Sequence, residues 1–231
     1  MRLKKEIKKL QDKEKAKILQ RFFKTGKQEY GEEDLFLGVT VPKIRNLVKI
    51  YWKPTLFQEI QELILSKYHE ERLLGLLILV KKYENSEEKV KKEIVEFYLK
   101  NSKQINNWDL VDLTAYNILG DYLLDKNKEV LYKLSKSENL WEKRISIIST
   151  LAFIKKNKFQ DTIKISEILL EDKHDLIHKA VGWMLREMGK KDIEELEKFL
   201  DKNYKKMSRT TLRYSIERMS EQRRRYYLNK Q

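Results

Sequence analysis

Trp108 and Asp112 stand four residues apart in INNWDLVDL, residues 105–113. On a helix that spacing is one turn, so an indole and a carboxylate share one face at the edge of an apolar stripe. A carboxylate so placed can stabilise positive charge that develops in a reacting molecule and can accept a hydrogen bond from an attacking water. An indole face adds cation–π attraction and keeps solvent away. The plainer reading, a core tryptophan beside a capping or ion-paired acid, stays open on spacing alone. Asp109, the nearer acid, reads as a solvated first-turn residue favoured by the helix dipole.

The partner such a site would meet is suggested by charge. The 231-residue chain has 50 Lys and Arg against 36 Asp and Glu, a net charge of +14, and a pI near 9.5. That is the electrostatic footprint of a polyanion binder, with nucleic acid as the leading partner and solvated lysine-rich faces as the alternative. With no cysteine, disulfides, thiolate metal sites and a cysteine nucleophile are excluded. No apolar run approaches the roughly 18 residues of a membrane span, and the charged N-terminus lacks a signal-peptide core, so a soluble cytoplasmic protein is expected. His174-Asp175-Leu176-Ile177-His178 mimics the His-Glu-x-x-His zinc signature. His69 is the only other histidine and Asp172 is too near in sequence to reach round, so the pair is read as helix-capping, phosphate-touching groups. No metal or other cofactor is expected. Arg223, Arg224 and Arg225 read as a solvated or phosphate-touching tail.

The elements that must position these residues are helical. Seven Gly and two Pro in this length argue against a sheet. Apolar residues recur at helical spacing over 73–83, 112–124, 145–156, 180–189 and 211–220, with shorter helical stretches at 55–66, 128–134, 159–170 and 192–200. Pro42 falls in the first turn of its helix, where its missing N–H costs nothing. Arg72, Asp109, Arg144 and Lys179 head successive apolar helices at intervals of 37, 35 and 35 residues. Such a period is that of an α-solenoid, here of about six helical pairs with one helix of each lining a concave surface. In this register Arg72, Trp108 with Asp109, Arg144, His178 with Lys179, and Ser208 with Arg209 head the inner helices, a largely cationic row suited to tracking a duplex backbone. No linker interrupts the chain, and one domain over 1–231 is expected.

Five stretches, FFKTGKQEYGEEDLFLGVTVPKIR (22–45), NNWDLVD (106–112), WEKR (141–144), HKAVGWMLREMGK (178–190) and MSRTTLRYSIERM (207–219), together resemble the AlkD family of DNA alkylation-repair glycosylases. The resemblance runs from about Phe22 to about Met219 and implies an all-α solenoid of HEAT-like repeats with a concave cationic groove. It implies catalytic roles for Trp108, Asp112 and Trp183, a DNA-facing role for Arg144, and backbone contacts by Arg45, Arg186 and Arg209. Lys179, Ser208 and Arg72 join that DNA-binding set from the repeat register. The N-terminal twenty residues depart from the family pattern, and whether Tyr30 supplies an aromatic contact is left open.

The activity implied is hydrolysis of the N-glycosidic bond of cationic alkylpurines in duplex DNA, by a monomer acting on the lesion without drawing the base into a pocket. A purine alkylated at N3 or N7 is already a good leaving group, so the site needs a carboxylate and aromatic faces but no general acid. The absence of Gly-rich lid signals is consistent with an open channel. The alternative is a non-catalytic solenoid that binds DNA or an acidic protein through the same groove.

Overall fold

Few glycines and prolines interrupt the long runs of Leu, Ile, Lys and Glu, and in the computed structural model, which describes residues 2–230, every regular element is a helix. None of these helices is long and apolar enough to cross a membrane. The chain packs as two units, residues up to Thr114 and residues from Ala115. Their boundary falls at the two-residue turn after Asp112 and not in a linker, so the sequence carries no Pro, Gly or Ser signal for it.

The first unit contains α1 (Arg2–Lys8), α2 (Lys13–Phe22), α3 (Val41–Tyr51), α4 (Phe57–Ile64), α5 (His69–Glu84), α6 (Glu88–Lys100) and α7 (Trp108–Asp112). Helix α5 carries the run LLGLLILV, which has no polar side to give to water, and α3, α4 and α6 pack against it. Pro42 sits in the first turn of α3, as its missing donor predicts.

Between α2 and α3, residues 23–40 form no regular helix, and two devices tie them to α5. Leu35 accepts from the His69 amide at 2.8 Å while its own amide donates to the Lys67 carbonyl at 3.1 Å, an isolated parallel bridge. The Glu70 carboxylate accepts the amides of Leu37, Gly38 and Val39 at 2.8, 2.7 and 3.1 Å. Gly38 has φ of 80°, which helps turn successive amides toward one anion and which glycine adopts without strain. Glu70 is 2% exposed, so these three donors replace its lost water.

The second unit opens on a π-helical turn, Tyr116–Gly120, followed by α8 (Glu129–Ser135), α9 (Leu140–Ser149), α10 (Leu151–Lys155), α11 (Gln160–Leu169), α12 (Asp175–Gly189), α13 (Ile193–Asn203), α14 (Arg209–Ser215) and α15 (Glu221–Lys230). Helix α12 is its centre, packed against α9, α11, α13 and α14. Gly120 lets the π turn lie against α9, because a Cβ there would stand 2.2 Å from the Ser149 carbonyl oxygen.

The predicted stretches fall on helices, and Arg72, Asp109, Arg144 and Lys179 each lie near the start of α5, α7, α9 and α12. Of the stretches expected as single helices, 211–220 is helical only to Ser215, where α14 ends, and two others are broken. Over 112–124 the α-helix stops at Asp112, where the Thr114 hydroxyl bonds the Leu110 carbonyl at 2.6 Å and shares a 2.9 Å bond with the Tyr98 phenol. Over 145–156 the break is at Thr150, where the hydroxyls of Ser149 and Thr150 donate to the carbonyls of Ile145 and Ile147, each at 2.7 Å. Hydroxyls that bond backward in this way compete with the backbone ladder. Helices α6 and α15 escape the apolar pattern because they bury so little: Ile94, Val95 and Tyr98 in one, Tyr227 in the other.

The Gly38 turn gives a direct check. An alanine Cβ there would lie 2.0 Å from the Asp12 carbonyl oxygen, on a backbone that L side chains rarely adopt. Gly38→Ala should therefore cost about 2 kcal/mol or more in urea unfolding. At Gly26 the nearest atom is the flexible Glu29 carboxylate at 2.8 Å, so Gly26→Ala should shift stability far less. Equal stabilities would refute the strain account.

Candidate functional site

Helix α7 is five residues long, too short to hold itself together, so its position must come from side chains around it. Asn107 caps it, accepting from the Trp108 amide at 2.8 Å, and the same side chain donates to Asp34 Oδ2 at 3.0 Å. Asp34 in turn receives Arg72 Nη2 at 2.6 Å. His69 lies between two acids: Nε2 is 2.8 Å from Asp109 Oδ2, and Nδ1 is 3.5 Å from Asp34 Oδ2, an ion-pair contact too long for an ordinary hydrogen bond. His69, Asp34, Arg72 and Asp109 are 2%, 4%, 4% and 8% exposed, which makes this a buried cluster of charges.

Burial alone would strip the proton from His69, but the charge and hydrogen bond of Asp109, with Asp34 adding to them and Arg72 opposing, raise its pKa to about 9. Burial likewise pushes the Asp34 carboxyl up, and its contacts with His69, Arg72 and Asn107 outweigh that and hold it below its ordinary value.

Above the cluster lies an aromatic stack. The Phe23 ring is parallel to Trp108 at 5.1 Å between centroids and packs on Phe36 at 5.0 Å. The His69 ring lies 4.7 Å from Phe36 and 4.9 Å from Phe23. Phe22 meets Trp108 edge-on at 5.9 Å and remains 61% exposed. The aromatic contribution from the N-terminal region, left open in the sequence, thus comes from Phe22 and Phe23. Asp112 is half-buried at the other end of α7, near enough to the buried Tyr98 that its charge joins desolvation in raising that phenol's pKa.

In the second unit, the residues singled out from sequence lie on α9, α12 and the start of α14. Arg144 is buried and donates from Nη1 to the Leu176 carbonyl at 2.5 Å. Lys179 pairs with Asp175 at 2.7 Å, and Arg186 pairs with Glu217 and lies 3.6 Å from Glu187. The half-buried Trp183 indole donates to Glu187 at 3.2 Å. Ser208 caps α14 by accepting from the Thr211 amide at 3.1 Å, and the exposed Arg209 donates to the Leu228 carbonyl at 2.8 Å. His174 Nδ1 caps α12 by accepting from the Leu176 amide at 3.1 Å, and His178 Nε2 lies 2.5 Å from the Asp172 carbonyl oxygen. Among the described residues no three His, Asp or Glu side chains are grouped to hold a metal ion.

A model of the DNA alkylation repair enzymes matches residues 3–219, nearly the whole chain. The chain belongs to that family. Family membership gives it a role in DNA alkylation repair. A solved structure described as a predicted DNA alkylation repair enzyme from Enterococcus faecalis is similar to it with a TM-score of 0.72 and 17% identity, covering 91% of this chain and 97% of that one. At that identity the likeness establishes the shared fold. No curated protein matches the sequence.

Three expectations about this family member are corrected. Asp109 is not a solvated first-turn acid: it is buried and held by His69. Arg72 does not present its guanidinium at the surface, because Asp34 and the Ser66 carbonyl, the latter at 2.9 Å, hold it in the interior. Arg144 does not face DNA either, because it is buried with its guanidinium on the Leu176 carbonyl, whereas Arg45 is exposed on α3. Sequence reasoning missed Asp34, His69 and Asn107 as parts of the site. One signal was present: His69-Glu70-Glu71-Arg72, four polar residues heading the most apolar helix of the chain, could not all be solvated if that helix is central.

The raised pKa of His69 has a sign that can be checked. Because the folded value of about 9 exceeds the unfolded one near 6.5, the stabilisation is complete below about pH 6.5 and is lost as pH rises through about 9. The difference in unfolding free energy between wild type and His69→Gln should shrink over that interval in urea titrations. A difference that is constant or grows with pH would refute a protonated His69.

Proposed function

We propose that the protein is a DNA glycosylase that hydrolyses the N-glycosidic bond of cationic alkylated purines, of the 3-methyladenine and 7-methylguanine type, in duplex DNA and leaves an abasic site. The observation that carries this reading is Asp112, half-buried one turn beyond Trp108 on a short helix whose start is locked by buried charges, in a chain of the DNA alkylation repair family.

In the proposed reaction the bond between C1′ and the base nitrogen breaks and its electron pair neutralises the cationic purine, which therefore leaves without a general acid. The sugar carries the positive charge that remains. Asp112 stabilises that charge and orients a water, whose oxygen bonds to C1′ while its proton passes to solvent. Trp108, stiffened by Phe23 and flanked by Phe22, offers an indole face to the cation. Trp183 is assigned a second aromatic contact with the DNA. Arg45, Lys179, Arg186, Ser208 and Arg209 are assigned phosphate contacts, which position the duplex without reading sequence. The protein acts as a monomer and without a cofactor in this reading.

Asp112→Asn keeps the shape of the side chain and removes its charge. It should lower the single-turnover release of 7-methylguanine from methylated duplex by about 10²-fold or more, with binding to undamaged duplex unchanged or tighter. A folded Asp112→Asn protein that excises at the wild-type rate would leave a non-catalytic DNA-binding solenoid as the better account.

Substrate charge supplies a second test. Without a general acid, the protein should release 7-methylguanine but not uracil, whose departure needs protonation or its equivalent, and EDTA should leave the rate unchanged. Efficient uracil release, or EDTA inactivation reversed by zinc, would contradict the mechanism.

A further inference from the structure

The buried cluster beneath α7 contains a group that the proposed reaction does not use. Both ring nitrogens of His69 face carboxylate oxygens, Nε2 toward Asp109 at 2.8 Å and Nδ1 toward Asp34 at 3.5 Å. A carboxylate oxygen only accepts, and a neutral imidazole has a single N–H, so a neutral ring would aim a lone pair at one of the two acids. With His69 charged, the cluster holds two cations, His69 and Arg72, against two anions, Asp34 and Asp109. With His69 neutral it carries a net negative charge in the interior. The remaining acids of this part of α5 are engaged elsewhere: Glu70 by the amides of Leu37, Gly38 and Val39, and Glu71 by the Ser66 hydroxyl at 2.6 Å with Lys4 at 3.8 Å. The other neighbours packed on the ring, Phe23 and Phe36, carry no charge.

We propose that His69 is a positioning residue: as an imidazolium clamped between Asp109 and Asp34, it fixes the first turn of α7 to α5 and thereby aims Trp108 and Asp112. Asp109 directly follows Trp108 and precedes Asp112 by three residues, so a contact that holds its carboxylate holds the turn between them. The same imidazole packs against Phe23, which also stacks on Trp108. Charge and stacking therefore reach the indole by two routes. Asp109 Oδ1 is buried without a hydrogen-bond partner, which leaves the bond from Oδ2 to His69 as the hydrogen bond that this carboxylate's burial depends on.

The aiming role rests on the glycosylase reading, but the clamp itself can be tested in the resting protein. In 15N-labelled wild type at pH 7, both His69 ring nitrogens should carry protons. As pH is raised, the Trp108 indole N–H resonance should move with the same midpoint as the His69 imidazole, near 9. A neutral His69 at pH 7, or a Trp108 resonance that stays fixed while His69 titrates, overturns the proposal.

Kinetics test the consequence. His69→Gln and Asp109→Asn should each lower single-turnover excision of 7-methylguanine at saturating enzyme by about tenfold or more while the Kd for undamaged duplex stays within about twofold. The double variant should be no slower than the slower single one, because both remove one contact. Wild-type rates in the single variants, or losses that multiply, overturn the aiming role. Should wild type release no base at all, the glycosylase reading fails by itself and the aiming role goes with it, and the two resonance measurements still decide the clamp. They also decide it should either variant fail to fold.

Discussion

Burial of charge is the constraint on which the first unit depends. Asp34, His69, Arg72 and Asp109 are withdrawn from water together, and each is tolerable there only because the others are present. Their positions in the sequence are far apart, so meeting their mutual requirement brings the loop after α2, the start of α5 and the start of α7 to one place. A well-packed apolar cluster of similar volume would be about as stable, or more so. What charges add is direction, since a hydrogen-bonded ion pair fixes orientation in a way that apolar contact does not.

The loop of residues 23–40 shows how that direction is transmitted. With no regular helix of its own, it is held twice in its C-terminal third, by the Leu35 bridge to residues 67 and 69 and by three amides gathered on Glu70. Both attachments are to the beginning of α5, the turn that also carries His69 and Arg72. Phe23 and Phe36 are consequently stacked on each other and packed together against the imidazole, and Phe23 reaches Trp108. Offset aromatic pairs add only about 0.5–1.5 kcal/mol each beyond their burial. Their value here is geometric, because planar contacts leave the indole few orientations.

Legibility in the sequence followed the range of the interactions. Apolar periodicity is local, so the cores of α5, α9 and α12, and the near-regular interval between Arg72, Asp109, Arg144 and Lys179, could be read directly. The breaks at Thr114 and Thr150 depend on hydroxyl rotamers that a periodic pattern does not record. Trp108 and Asp112 were legible as a pair because they are one turn apart. Their support was not, because Asp34, His69 and Asn107 are separated by tens of residues from each other. Asp109 was misread for the same reason: a first-turn acid beside a helix dipole is a sufficient local explanation, and only the distant His69 shows that it is incomplete.

The two acids of α7 also bear on each other. Asp109 and Asp112 are three residues apart, a separation at which like charges on a helix repel. With Asp109 turned inward against His69, its charge is balanced by a cation 2.8 Å away, and the field it casts on Asp112 is that of an ion pair, weaker and shorter in range than that of a lone anion.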